Sequence, residues 1–255
     1  MNKSLLALAA VAALFAHGAA RADTFSVTIE NPGVQLSTSQ FTTSGVETFS
    51  GRGSNFSTDF GTNGAITGVY SGVQVNSADQ YGGANGTGSY AVTFSSAGYS
   101  LDLSTSVSHG GPATINYFGY WLSALDGGNV VDFYKGDTKV YSFNPSDALA
   151  VVNSAGGTGY FGNPNANFSN QNGGEPYAFL NFHDTDGSFD RIVFHETPQS
   201  GGYESDNHTV GFYTAQGGTV VPMAAAVSAV PEASSWAMMA LGLVGVSVVR
   251  LRRKA

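Results

Sequence analysis

Asn129-Val-Val-Asp-Phe-Tyr-Lys-Gly-Asp-Thr-Lys-Val-Tyr-Ser-Phe143 decides the fold class. Val131 and Phe133 alternate with Asp132 and Tyr134, the period of two that turns one face of a strand inward and the other toward water. Tyr141 and Phe143 carry the apolar set on the far side of Gly136-Asp137. Glycine as the first of two central residues suits a type II′ turn, whose twist matches that of paired strands. The stretch therefore predicts an antiparallel hairpin.

The flanking sequence extends the pattern. A second hairpin is expected to pair Tyr177–Phe182 with Phe189–His195 across His183-Asp-Thr-Asp-Gly-Ser188. Thr24–Ile29 alternates in the same way, and 45–50, 65–75, 88–95, 99–104 and 114–124 are rich in Val, Phe, Tyr, Thr and Ile. One short helix is expected at Ser146–Val152, capped by Ser146 after Pro145. Ser71–Gly98 and Ser154–Gly174 are rich in Gly, Ser and Asn and predict two long loops on one face. Many short strands with little helix predict an all-β body, an antiparallel β-sandwich of jelly-roll type.

The two ends read differently. Lys3, the apolar run Leu5–Ala16 and the small residues Ala20 and Ala22 have the layout of a secretory signal helix cut by signal peptidase before Asp23. Trp236–Val249 is an apolar run of 14 residues, followed by Arg250, Arg252, Arg253 and Lys254 with no acidic residue. As a helix it is about 21 Å long, short against a bilayer core of about 30 Å. Snorkelling of the terminal cations extends its reach. The run is read as a single transmembrane helix, and the cations favour keeping its end in the cytoplasm. The expected organisation is a signal peptide at 1–22, a sandwich body at 23–216, a linker at 217–229 and a sorting segment at 230–255.

Val230-Pro231-Glu232, Trp236, the Gly-containing apolar run and the Arg-Arg end resemble the PEP-CTERM sorting signal of exported Gram-negative bacterial proteins. The third motif position holds Ala233 where the family has Pro. The resemblance implies that a membrane protease-transpeptidase, exosortase, recognises Val230, Pro231 and Glu232. It also implies that the chain is held in the inner membrane before processing and then released to the cell surface or matrix. The hairpins followed by Tyr203-Glu-Ser-Asp-Asn207 resemble the lectin-like jelly-roll bodies found on other proteins with this tail, over residues 114 to 213.

Between the two ends, 17 acidic residues oppose Arg52, Lys135, Lys139 and Arg191, a net charge of −13. Such a surface repels nucleic acid and anionic membranes and attracts cations. There is no cysteine, so disulfides, thiolate metal sites and thiol catalysis are excluded.

Candidate chemistry is sparse. Asp184-Thr-Asp186-Gly187 with Asp190 places three carboxylates near one turn, the oxygen-rich type of site that calcium takes. The same residues also suit a plain polar turn. Glu204 and Asp206 are read as further calcium ligands from a loop of the sandwich. His195-Glu196 lacks the second histidine of a zincin, and no nucleophile elbow is present. Trp121 is expected in the core, whereas Tyr81, Tyr90 and Tyr99 are expected to be exposed. The sequence reading is therefore a non-enzymatic, surface- or matrix-associated protein with extracellular polysaccharide as a candidate partner. Its alternatives are a calcium-dependent carbohydrate-binding module and a polysaccharide hydrolase.

Overall fold

The computed structural model describes residues 23–154, 159–199 and 201–223. The signal helix expected at 1–22 and the transmembrane helix expected at 236–249 lie outside these residues. Among the described residues no helix is long and apolar enough to cross a membrane.

The first seven strands are β1 (Phe25–Ile29), β2 (Gln40–Glu47), β3 (Asn55–Thr58), β4 (Ile66–Ser71), β5 (Gln74–Ser77), β6 (Ser89–Thr93) and β7 (Tyr99–Thr105). The next seven are β8 (Tyr117–Ser123), β9 (Asn129–Lys135), β10 (Thr138–Phe143), β11 (Ala178–Asp184), β12 (Arg191–Glu196), β13 (Tyr203–Ala215) and β14 (Thr219–Val220). One sheet runs β14-β1-β11-β8-β13-β6-β5, with β2 also paired to β13. The other runs β10-β9-β12-β7-β4-β3. All the pairings of both sheets are antiparallel. The body is thus all-β and sandwich-like.

The decisive stretch folds as its pattern requires. β9 and β10 pair around Gly136-Asp137, with Thr138 opposite Lys135. Gly136 has φ 56°, which lets the two-residue turn close. Val131, Phe133 and Phe143 point into the interior, where they meet Phe118, Phe182 and Phe189 from other strands. Burial of such a side chain stabilises by about 1.5–3 kcal/mol.

The second expected hairpin does not form. β11 pairs with β1 and β8, while β12 pairs with β7 and β9 in the opposite sheet. The segment between them is an arch from one sheet to the other, held by the bridge between Ile115 and Phe189. A period of two specifies which side of a strand is buried and not which strand lies beside it.

Three local expectations are also corrected. The helix α1 spans Ser146–Ser154, but its cap is Asn144, whose Oδ1 accepts the Ser146 amide at 3.0 Å. Pro145 then occupies the first helical position, where its missing N–H costs nothing. The segment expected as a linker from Gly217 starts inside the body, because β14 pairs with β1 and the Val221 amide bonds Val27 O at 2.9 Å. Tyr203–Asn207 is no loop; it opens β13, the longest strand at 13 residues.

Every residue of β8 and of β11 is buried. Phe118, Tyr120 and Leu122 face the main core, while Trp121 packs with Tyr177, Phe179 and Ala84 on the other side. Ala84 comes from the first Gly-rich loop, so that loop covers the outer face of this sheet. The second loop is tied to it by asparagines. Asn163 Nδ2 donates to Gln80 O, Asn165 Nδ2 to Gly83 O and Asn167 Nδ2 to Gly86 O, at 3.0, 3.1 and 3.1 Å. These bonds satisfy loop carbonyls that burial would otherwise strand.

Candidate functional site

Where the two loops meet the end of the sandwich, a cleft of about 520 Å³ opens. Asp79, Asp126, Glu175 and Glu204 supply its carboxylates, and Tyr81 and Phe94 its exposed rings. Tyr81 and Phe94 are 45% and 48% exposed. Among the described residues no Lys or Arg lines the cleft.

Each carboxylate is placed by its local chain. Asp79 Oδ1 accepts the amides of Tyr81 and Gly82 at 2.8 and 3.1 Å, folding the loop back on itself. Tyr90 donates its hydroxyl to the same carboxylate at 3.2 Å. Asp126 Oδ1 takes the Gly128 amide at 2.6 Å, closing the turn after β8. The Tyr177 hydroxyl donates to Gln80 O at 2.6 Å and accepts from Asn172 Nδ2 at 3.0 Å, pinning the far wall. Glu204 points outward from β13, opposite Ser123 of β8.

Crowding of like charges sets the electrostatics. Glu204 is pushed up to about 8 by burial first, then by Glu196, Asp126 and Asp79, while its own amide draws it back. Burial and Asp126 also raise Glu175, and they lift Glu196 to about 6. A cleft with these properties accepts hydroxyl donors and cations and rejects anions.

The carboxylates expected to bind calcium do not form one site. Asp184 Oδ1 accepts the Asp186 and Gly187 amides at 3.3 and 2.8 Å, and Asp186 accepts the Thr24 amide at 2.6 Å. Burial and the neighbouring Asp23 push Asp184 up to about 7. Asp190 instead accepts the Gly136 amide at 2.8 Å and pairs with Lys135 at 3.3 Å. Asp206 Oδ2 accepts the Ala84 amide at 2.7 Å, anchoring the first loop, and is pushed by burial to about 7. Glu204 is the only one of the five that lines the cleft. Among the described residues no group of three or more His, Asp or Glu is gathered closely enough to hold a metal ion.

Trp121 lies in the core as expected, and Tyr81 is exposed, but Tyr90 and Tyr99 are each only 2% exposed. Tyr90 turns its hydroxyl inward to Asp79, and Tyr99 reaches Ser205 Oγ at 3.0 Å. The sequence reading missed Asp79, Asp126, Glu175 and Phe94. A signal for the three carboxylates is visible: seven Gly-Gly pairs occur in the chain, and four flank cleft carboxylates. They are Gly82-Gly83 after Asp79, Gly127-Gly128 after Asp126, Gly173-Gly174 before Glu175 and Gly201-Gly202 before Glu204.

Fold and cleft together define a cysteine-free antiparallel β-sandwich with an acidic, aromatic-edged cleft at one end. Residues 229–254 match the PEP-CTERM protein-sorting motif. The chain therefore carries the signal of an exported, surface-directed protein processed by exosortase. No curated protein and no solved structure matches the chain.

Proposed function

We propose that this is a non-enzymatic, surface- or matrix-associated interaction protein that binds extracellular polysaccharide in its acidic cleft. On this reading the body is a lectin-like jelly roll, and the terminal segment anchors the chain in the inner membrane until exosortase removes it. The observation that carries the reading is the placement of half-exposed Tyr81 and Phe94 beside four carboxylates. Aromatic faces take the apolar face of a sugar ring, and carboxylates accept its hydroxyl protons. The absence of lining cations disfavours an anionic polymer.

A glycan array run on the full chain with and without chelator tests this. Binding to neutral or amino sugars, reduced at least tenfold by Tyr81→Ala or Phe94→Ala, supports it; no binding in either condition overturns it. Loss of binding with chelator alone selects the calcium-dependent lectin form.

A second reading, polysaccharide hydrolysis, is favoured by one observation. Glu204 keeps its proton near neutral pH while Asp126 and Glu175 stand in the same cleft. Glycoside hydrolysis uses a pair of carboxyl groups, one of them an acid whose pKa is raised. Release of reducing ends from a bound polymer, abolished by Glu204→Gln, would establish that activity; binding without release assigns the cleft to recognition.

A further inference from the structure

Gly201-Gly202, the two residues before β13, bring the chemical groups of the cleft together. A Cβ at Gly202 would overlap Glu204 Oε1 and lie 2.9 Å from Cε1 of Phe94. One at Gly201 would lie 3.6 Å from Asp126 Oδ2. Two bare backbone positions thus let two carboxyls and a ring edge close on the same stretch of chain.

Glu204 is the group that the fold leaves incomplete. It is 7% exposed and lines the cleft, yet among the described residues its carboxyl has no hydrogen-bond partner beyond its own amide. A carboxyl so deeply buried is costly unless a donor or a counter-charge reaches it. Asp126 and Asp79 act on Glu204, and Asp126 acts on Glu175, so the four carboxylates of the cleft respond to one another.

The body supplies no counter-charge of its own. Arg52 pairs with Glu47 at 2.9 Å, Lys135 with Asp190 at 3.3 Å and Lys139 with Asp132 at 2.6 Å. Arg191 stacks over the Tyr134 ring at 4.4 Å. A metal ion does not match the lining, because among the described residues no three carboxylates are gathered closely enough to hold one. An organic ammonium does. It carries three N–H donors that reach carboxylates at about 2.7–2.9 Å, and aromatic rings within about 6 Å attract its charge. Half-exposed Tyr81 and Phe94 edge the same cleft, whose 520 Å³ falls within the roughly 300–1,000 Å³ of small-ligand sites.

We propose that the cleft selects sugars bearing a free, protonated amine, with Asp126 and Glu204 receiving the ammonium and Tyr81 and Phe94 packing on the ring that carries it. The inference rests on the polysaccharide reading and narrows it: an N-acetylated sugar has lost the charge and a neutral sugar never carried it. An ammonium at Asp126 and Glu204 offsets the repulsion that otherwise keeps a proton on Glu204.

Calorimetric titration of the full chain with β-1,4-linked tetramers of glucosamine, N-acetylglucosamine and glucose tests this. The glucosamine tetramer should bind at least tenfold more tightly than the other two, and the preference should shrink as salt is raised. Asp126→Asn and Glu204→Gln should each lower glucosamine affinity at least fivefold while leaving the acetylated tetramer nearly unchanged, which also shows that the variants fold. Asp137→Asn removes an exposed carboxylate of the β9–β10 turn and should change nothing. Equal or tighter binding of the acetylated or glucose tetramer overturns the amine selection and leaves the polysaccharide reading standing; no binding of any tetramer overturns both. An equal loss in Asp137→Asn, or trilysine bound as tightly as the glucosamine tetramer, overturns the assignment to an amino sugar in this cleft.

Discussion

The Tyr70 hydroxyl and His208 Nδ1 lie 3.0 Å apart across the interior, joining β4 of one sheet to β13 of the other. The other ring nitrogen of His208 meets Ser205 Oγ at 2.9 Å, and Ser205 in turn meets the Tyr99 hydroxyl of β7 at 3.0 Å. Phe49, Phe118 and Phe194 surround the imidazole with centroids 4.8, 5.3 and 5.0 Å away. A neutral ring with one donor and one acceptor satisfies both contacts, whereas an imidazolium there has no counter-charge.

Acid should therefore loosen the sandwich through this residue. Burial holds the folded pKa of His208 down at about 3, and that of His183 at about 4. A depressed histidine contributes stability that is present above its unfolded value of about 6.5 and is lost as pH falls toward the folded value. The full effect for His208 is on the order of 5 kcal/mol. Denaturant unfolding at pH 7, 5 and 4 should show His208→Phe losing less stability with acidification than the native chain. Parallel slopes would show that His208 does not titrate on unfolding.

Glu204 should act with the opposite sign. Its folded pKa of about 8 exceeds the unfolded carboxyl value, so the folded state holds a proton that the unfolded chain has released. The resulting stability is complete below about pH 4.3 and is lost as pH rises toward 8. Asp206, raised to about 7, adds to the same trend. Thermal unfolding at pH 5.5 and 8.5 should show a larger drop for the native chain than for Glu204→Gln, which keeps the shape and cannot ionise. An equal drop would place the alkaline loss elsewhere.

How much of this was legible follows from what each signal encodes. The hairpin of β9 and β10 was readable because the turn and both alternating strands are local. β13 was not, because its residues Glu204, Asp206 and Asn207 are polar yet buried beneath loops more than a hundred residues away in sequence. Asp206 is satisfied by the Ala84 amide and Asn207 Nδ2 by Gln35 O, partners that only the fold supplies. The arch between β11 and β12 was lost for the same reason, since the partners of each strand are remote. The cleft carboxylates had a local signature in their Gly-Gly neighbours, but their convergence depends on three separate loops meeting the start of β13.

Two glycines separate backbone strain from close packing. Gly98 (φ 65°) turns the chain before β7, and a Cβ there would overlap the carbonyl oxygen of Phe194 and lie 2.9 Å from the His195 Cα. Gly136 (φ 56°) also lies in the left-handed region, but nothing stands within 4 Å of its missing Cβ. Gly136→Ala should cost about 1–2 kcal/mol from conformation alone. Gly98→Ala adds displacement of β12 and should cost clearly more, about 3 kcal/mol or above. Equal losses in denaturant unfolding would mean that the Phe194 carbonyl moves aside freely.

The sorting motif makes a prediction about mass. Its model matches through residue 254, yet Ala233 replaces the second Pro of the name-giving triplet. Proline fixes φ near −65° and removes an amide donor, and Pro231 is the one proline of the triplet in this sequence. Recognition should then depend heavily on Pro231 and Glu232. In a host with exosortase, the C-terminal peptide of the mature protein should end near Glu232, without Trp236–Val249 or the basic end. Pro231→Ala should leave a chain heavier by the whole tail and retained with membranes, whereas Ala233→Pro should be processed at least as fully as the native chain. A mature protein that keeps Arg253 and Lys254 in a host with active exosortase would show that the matched motif is not cut.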